Sequence, residues 1–234
     1  MPPSGGGPAI LPSRFQPFPD LAYKPEFVEH VIQRRAVLRA ELATLVPSGT
    51  AIVLEIGCGH GHFLVRYATE FPGKTCLGVD MINERITRAR KKATRARLPH
   101  CHFVRAEARE LIESVPDDVT FAEVWVLFPD PWPKKRHHKH RILQPEFFEF
   151  LANRAGEGAR LYFRTDYREY HESVAAFLPE LKTWRPDPGA PWPLEHETVF
   201  QARAPSYQSL VAVRTGHRAT PAASTAPRST TSVQ

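Results

Sequence analysis

The chain has 234 residues, of which 42% are hydrophobic and 24% charged, so we expect one large domain with a hydrophobic core. Basic residues outnumber acidic ones by 31 to 25, and the net charge of +6 favours an acidic partner such as nucleic acid. No apolar run approaches the roughly 20 residues that span a bilayer, and no signal pattern opens the chain. The three cysteines form no disulfide or zinc pattern. These features exclude a membrane-embedded protein and predict a cytoplasmic one.

The two ends differ in composition from the middle. Residues 1–20 contain six prolines and three consecutive glycines, which predicts a flexible arm. Residues 215–234 are rich in Ser, Thr, Ala and Pro and have no carboxylate side chain, which predicts a disordered tail. The folded domain is therefore expected over residues 21–214.

Between these ends, helical and strand patterns alternate. Apolar residues at helical spacing predict a first helix over 26–46, and similar patterns predict helices over 63–70 and 83–97. Short apolar runs predict strands at 51–56, 75–79, 102–105, 122–128, 160–164 and 208–213. Alternating strands and helices predict an α/β fold in which a mostly parallel sheet has helices on both faces.

A glycine-rich turn follows the first predicted strand in the segment EIGCGHG, residues 55–61. Gly57, Gly59 and Gly61 allow a tight turn and a close approach of the backbone to a ligand. Asp80 ends the next strand, where a carboxylate can accept both hydroxyls of a ribose. His62 stands where a dinucleotide fingerprint has glycine, so S-adenosylmethionine is favoured over NAD. A glycine turn needed only for packing is the alternative.

Glu107 follows the third predicted strand, at the edge of the sheet where ligands bind in this fold class. Its carboxylate could accept a hydrogen bond from an adenine amino group. It could equally be an acidic residue that the dipole of the following helix favours. The sequence leaves both readings open.

The segment FPDPWP, residues 128–133, emerges from the fourth predicted strand, opposite the glycine turn. Three prolines stiffen the backbone around Asp130 and Trp132. Eight basic or potentially basic residues follow at 134–141. Such a run is usually a solvated surface, but next to this loop it could bind phosphates. Its histidines do not predict a metal site, since neighbouring cations would repel the ion.

The combined motif FPDPWPKKRHHKHR resembles the signature of the tRNA (guanine-N7-)-methyltransferase family, and the resemblance extends from about residue 50 to 213. It implies a Rossmann-like class I methyltransferase with a seven-stranded sheet. It also implies transfer of a methyl group from S-adenosylmethionine to N7 of a guanine in the variable loop of tRNA. Asp130 would then be the catalytic residue, and the donor would be held by Glu55, Gly57, Gly59, Gly61, Asp80, Glu107 and Asp130.

The same resemblance implies two further groups of residues. The substrate would be bound by Lys134, Asp166, Thr198 and Gln201. The RNA would be contacted by Arg136, His137, His138, Lys139, His140 and Arg141. The sequence departs from the family pattern at Glu107, where Asp or Asn is usual, and at Gln201, which replaces a glutamate and so keeps the hydrogen bonding without the charge.

The chemistry is consistent with this residue set. N7 of guanine already carries a lone pair, so no base is needed to generate the nucleophile. A fixed carboxylate, Asp130 or Asp166, would stabilise the positive charge that develops on the purine. The alternatives are a methyltransferase acting on another substrate and a non-catalytic RNA-binding module. The expected partner is tRNA, with no membrane or metal, and the chain would be a monomer or homodimer.

Overall fold

The computed structural model describes residues 25–196, 204 and 206–216. The predicted arm at 1–20, most of the predicted tail, Thr198 and Gln201 lie outside these residues. The helices are α1 (Pro25–Leu45), α2 (His62–Glu70), α3 (Asn83–Arg95), α4 (Ala108–Ser114), α5 (Pro145–Ala152) and α6 (Arg168–Phe177). The strands are β1 (Ala51–Ile56), β2 (Cys76–Asp80), β3 (Cys101–Arg105), β4 (Thr120–Leu127), β5 (Ala155–Thr165), β6 (Trp184–Pro186) and β7 (Gln208–Arg214).

Every helix and strand predicted by residue number is present, with ends that differ by a few residues. The largest difference is β5, which begins at Ala155 rather than at Arg160. β6 was not predicted, because that strand has only three residues and ends in Pro186. A strand that short shows no alternating pattern.

The seven strands form one sheet in the order β3-β2-β1-β4-β5-β7-β6. The five strands from β3 to β5 pair in parallel, and β7 is antiparallel to both of its neighbours. The strand order reverses between β1 and β4, which are adjacent although two strands separate them in the chain. In open α/β sheets a ligand binds outside the carboxyl ends of the strands at such a switch point. The fold is the predicted Rossmann-like one.

Alternate residues of the central strands pack on opposite faces of the sheet. Ile52 and Leu54 of β1 belong to a core formed with α1, α4, α5 and α6. Val53 of β1 and Trp125 of β4 belong to the opposite core, formed with α2 and α3. Glu55 follows Val53 by two residues, so its side chain lies on the α2 side. Both faces are therefore covered, and the open edge for a ligand is the carboxyl end of the sheet.

None of the helices in the described part of the chain is both long enough and apolar enough to cross a bilayer.

Candidate active site

A cavity of about 1270 Å³ lies at the carboxyl ends of β1, β2 and β4. One wall is the glycine turn after β1, and another is the loop after β4. The lining includes six residues that the sequence placed at the site: Glu55, Gly57, Gly59, Asp80, Glu107 and Asp130. The structure therefore brings the FPDPWP loop and the glycine turn to one cavity.

The glycine turn is built from backbone in the left-handed region. Gly57, Gly59 and Gly61 have φ of 71°, 52° and 69°, a conformation that side chains disfavour. Among the described residues, apart from the chain neighbours, none has an atom within 4 Å of a Cβ built at Gly57 or Gly59. These two glycines thus present bare backbone beside the cavity.

Gly61 has a different role, because it packs inside the protein. A Cβ there would lie 2.8 Å from Ala89 Cβ and 2.8 Å from Phe103 Cζ. Gly78, in the middle of β2, meets the same phenyl ring, with a Cβ only 2.6 Å from Phe103 Cδ1. The packing interpretation therefore holds for Gly61, whereas Gly57 and Gly59 leave room for a ligand.

Glu55 is a buried acid in the cavity wall, with only 4% of its surface exposed. Its Oε2 atom has no hydrogen-bond partner among the described residues. Burial raises the pKa of this carboxyl to about 8; the backbone amide of Leu64 opposes the rise, and the charge of Asp80 adds to it. A buried carboxyl with an unpartnered oxygen has hydrogen-bonding capacity for a ligand group.

Asp80 links the end of β2 to the glycine turn. Its Oδ2 accepts a hydrogen bond from Gly59 N at 3.1 Å, and its Oδ1 accepts one from Ile82 N at 2.8 Å. Arg85 Nη1 lies 3.4 Å from Oδ2. A carboxylate has about four acceptor positions, so these three contacts fix the group and leave about one position for a hydroxyl.

Glu107 caps the N-terminus of α4, in line with the interpretation that the following helix favours an acidic residue there. Its Oε2 accepts a hydrogen bond from Glu110 N at 3.0 Å, and the side chain also lines the cavity. The two interpretations of this residue are thus compatible in space, and adenine recognition stays a prediction.

Asp130 sits in a loop held in an uncommon conformation. Phe128 and Trp132, on either side of it, have φ of 48° and 45°, which is rare for residues other than glycine. The carboxylate of Asp130 is exposed, and Pro129 and Trp132 line the cavity beside it. Strained backbone of this kind persists only where its surroundings impose it.

The basic run after the loop forms a 3-10 helix over Lys135–His140. Its residues are exposed or half-buried, and the rings of His137 and His140 contact the Trp132 ring. Arg141, at the end of the run, differs because it is only 3% exposed. Arg141 also lines the cavity, beside Lys139 and His140, and its predicted RNA contact remains a prediction.

Two predicted substrate residues lie outside the cavity wall. Lys134 and Asp166 are exposed and do not line it. Their roles, like those of Thr198 and Gln201, remain predictions.

The sequence reading missed three cations of α3 that line the cavity: Arg85, Arg88 and Lys92. Their spacing of three and four residues places them on one flank of the helix, beside the buried flank of Ile86 and Ala89. The sequence predicted this helix, and the spacing of its cations could also have identified this flank. Lys92 Nζ also donates to His60 O at 2.9 Å, which ties α3 to the glycine turn.

Residues 25–196, 204 and 206–216 hold no cluster of three or more His, Cys, Asp or Glu side chains able to bind an ion.

The chain was compared with known proteins. Residues 49–200 match the family model Methyltransf_4, described as "Putative methyltransferase". The chain is 34% identical over 143 residues to the tRNA (guanine-N(7)-)-methyltransferase of Syntrophotalea carbinolica, covering 61% of this chain and 62% of that one. It is 35% identical over 144 residues to the enzyme of the same name from Geobacter metallireducens, covering 61% and 68%.

The fold also resembles a solved structure. A 16S rRNA (adenine(1408)-N(1))-methyltransferase from Catenulisporales acidiphilia matches with a TM-score of 0.52 and 20% identity, over 80% of this chain and 93% of that one. At that identity the likeness concerns the fold alone.

The sheet order, the glycine turn and the family match together define a Rossmann-like methyltransferase. Within that class, the chain belongs to the tRNA (guanine-N7-)-methyltransferase family. The aligned part spans from about half to about two thirds of the length of the curated relatives.

Proposed function

We propose that this chain transfers a methyl group from S-adenosylmethionine to N7 of a guanine in the variable loop of tRNA. The observation that carries the proposal is the shared cavity: the carboxylate loop around Asp130 and the glycine turn line the same space. The names of the curated relatives support the same reaction.

The cavity residues fit the donor. Gly57 and Gly59 leave space beside the backbone, Asp80 keeps an acceptor position for a ribose hydroxyl, and Glu55 offers an unpartnered buried oxygen. The volume of about 1270 Å³ exceeds what a single small ligand commonly occupies, so there is room for a nucleoside donor and a purine together. When bound, the donor supplies a methyl group on a cationic sulfonium.

The chain's own contribution is alignment and electrostatics. In this proposal Asp130 holds the purine by its N1–H and N2–H donors and stabilises the positive charge that N7 methylation creates. Alignment of two reactants can itself supply about 7–11 kcal/mol in favourable cases. The strained backbone around Asp130 supports this role, because it constrains the loop from which the carboxylate extends.

The charges around the cavity support an RNA substrate. Arg85, Arg88 and Lys92 line one side, and the basic run of the 3-10 helix, with Lys139 and His140, lines another. Cations on two sides of a cavity attract a phosphate backbone that passes over it. A methyltransferase for small apolar molecules would not need them.

A guanine within tRNA must leave its stack to enter the cavity, which costs a few kcal/mol. Trp132 is 37% exposed at the cavity rim and could stack on a displaced base.

We place the reaction in the cytoplasm, with the chain as monomer or homodimer. The free thiols of the three cysteines fit a reducing compartment.

The test is nucleoside mass spectrometry of tRNA that lacks the modification, before and after incubation with the protein and S-adenosylmethionine. We expect 7-methylguanosine to appear only when both are present. The matched control is a transcript in which the variable-loop guanine is replaced by adenine, which should gain no methyl group.

Other outcomes identify the alternatives. Methylation of another nucleoside, or of the adenine-substituted transcript, would replace the proposed substrate. Donor and tRNA binding without any methyl incorporation would favour the non-catalytic RNA-binding module.

A further inference from the structure

Arg141 is a buried cation beside the Asp130 loop, with 3% of its surface exposed. Across the described part of the chain, its guanidinium forms no ion pair with a carboxylate. A buried charge without a counter-ion is costly, so its contacts must compensate.

The contacts of Arg141 converge on the loop. Its Nε donates to the carbonyl oxygen of Pro131 at 2.8 Å, one residue after Asp130. Its Nη2 lies 3.0 Å from His138 Nε2. The guanidinium carbon sits 4.8 Å from the centre of the Tyr170 ring and 5.6 Å from that of Tyr167. Two aromatic faces and two hydrogen-bond partners thus hold one planar group.

The FPDPWP loop needs a hydrogen-bond donor from another part of the chain. Prolines 129, 131 and 133 have no N–H, so the loop itself can offer few backbone donors. At its entry, Phe128 N donates to Arg164 O at 2.8 Å, which continues the ladder between β4 and β5. Beyond that point the bond from Arg141 anchors the carbonyl next to Asp130, within a backbone that is strained at Phe128 and Trp132.

We propose that Arg141 is a positioning residue that fixes the Asp130 carboxylate for methyl transfer, and not an RNA-contacting residue. The expected effect on kcat rests on the proposed function. Its geometric consequence, a loop that loosens when the guanidinium is lost, does not depend on which substrate is used.

The test is Arg141→Lys. Lysine keeps the positive charge, so a phosphate contact would largely survive, but it cannot reproduce the planar fork that binds Pro131 and His138 together. We expect kcat to fall by about 10–100-fold, as small misplacements of a catalytic group can cause. The KM and Kd for tRNA should stay close to wild type.

The contrasting variant is Lys139→Gln, which removes an exposed cation two residues away in the same basic run. It should weaken tRNA binding, the opposite signature from Arg141→Lys. A fall in tRNA affinity with kcat unchanged in Arg141→Lys would overturn the proposal and restore Arg141 as an RNA contact.

A second measurement needs no substrate. Trp132 is the most exposed of the four tryptophans, since Trp125 and Trp184 are fully buried and Trp192 is half-buried. Acrylamide quenching of tryptophan fluorescence should increase in Arg141→Lys if the loop loosens. Wild-type quenching together with wild-type kcat would refute the positioning role.

If Arg141→Lys does not fold, His138→Gln tests the same contact from the other partner. It removes the ring that faces Nη2 while leaving Pro131 and both tyrosines in place. We expect a smaller change in the same direction, lower kcat and greater quenching, and unchanged values of both would overturn the proposal.

Discussion

Glu55→Gln should remove a pH dependence from the stability of the protein. The pKa of the folded carboxyl is raised from 4.5 to about 8, mainly because burial disfavours the charged form. Between those two values the folded state binds a proton that the unfolded state releases, so stability falls as the pH rises. Each pH unit between these two pKa values corresponds to about 1.36 kcal/mol, so the full rise corresponds to a loss of about 5 kcal/mol in the free energy of unfolding. Glutamine cannot ionise, so the variant should not show this loss.

The assay is urea unfolding at several pH values from 5 to 8.5. The wild type should lose stability relative to Glu55→Gln as the pH rises, and the difference should level off above about pH 8. Glu84→Gln, a change at an exposed carboxylate of α3, is the control and should follow the wild type. Parallel pH profiles for Glu55→Gln and wild type would refute the reasoning that burial keeps Glu55 protonated.

Three further changes test the site. Asp130→Asn should lower kcat by about 100-fold or more, as loss of a charge-stabilising group does, with calorimetry showing donor affinity nearly unchanged; full activity would contradict its role. Gly61→Ala should destabilise the protein by about 2–5 kcal/mol in urea unfolding, through backbone strain and overpacking. Gly59→Ala is its matched control and should cost only the strain, about 1–2 kcal/mol, while weakening donor binding; equal losses would contradict the contact with Phe103. Removing the exposed charges of Lys134, Arg136 and Lys139 in the basic run should reduce the salt slope of tRNA binding by about 0.7 per lost phosphate contact. Arg97→Asn, in the turn after α3, is the control and should leave the slope unchanged. An unchanged slope in the first variant would exclude phosphate binding by the three residues replaced.

Local signals predicted most of the fold. The run AIVLEI at 51–56 is buried at all but its first residue, and its apolar side chains supply both cores, so it read clearly as a strand. The glycine turn was also visible, because its residues are adjacent in sequence and their function depends on backbone conformation. Asp80 was found for a related reason: it ends a strand, and strand ends meet at one edge of a parallel sheet.

Burial could not be predicted in the same way. Arg141 closes a run of eight basic residues, and nothing near it in sequence distinguishes it from Lys139. The difference comes from Tyr167 and Tyr170, more than 20 positions further along the chain, whose rings cover the guanidinium once α6 packs against the sheet. Sequence patterns record local spacing, whereas this environment is created by tertiary packing.

The two glycines that meet Phe103 illustrate the same limit from the opposite side. Gly61 belongs to the recognisable turn and Gly78 to a strand that looked unremarkable, yet one phenyl ring excludes a side chain at both. Neither glycine is near Phe103 in sequence. The contact arises because Phe103 lies on β3, which pairs with β2 in the sheet. The glycine motif therefore combines two requirements: Gly57 and Gly59 keep the backbone bare toward the cavity, while Gly61 lets α2 approach the sheet closely enough to hold that backbone in place.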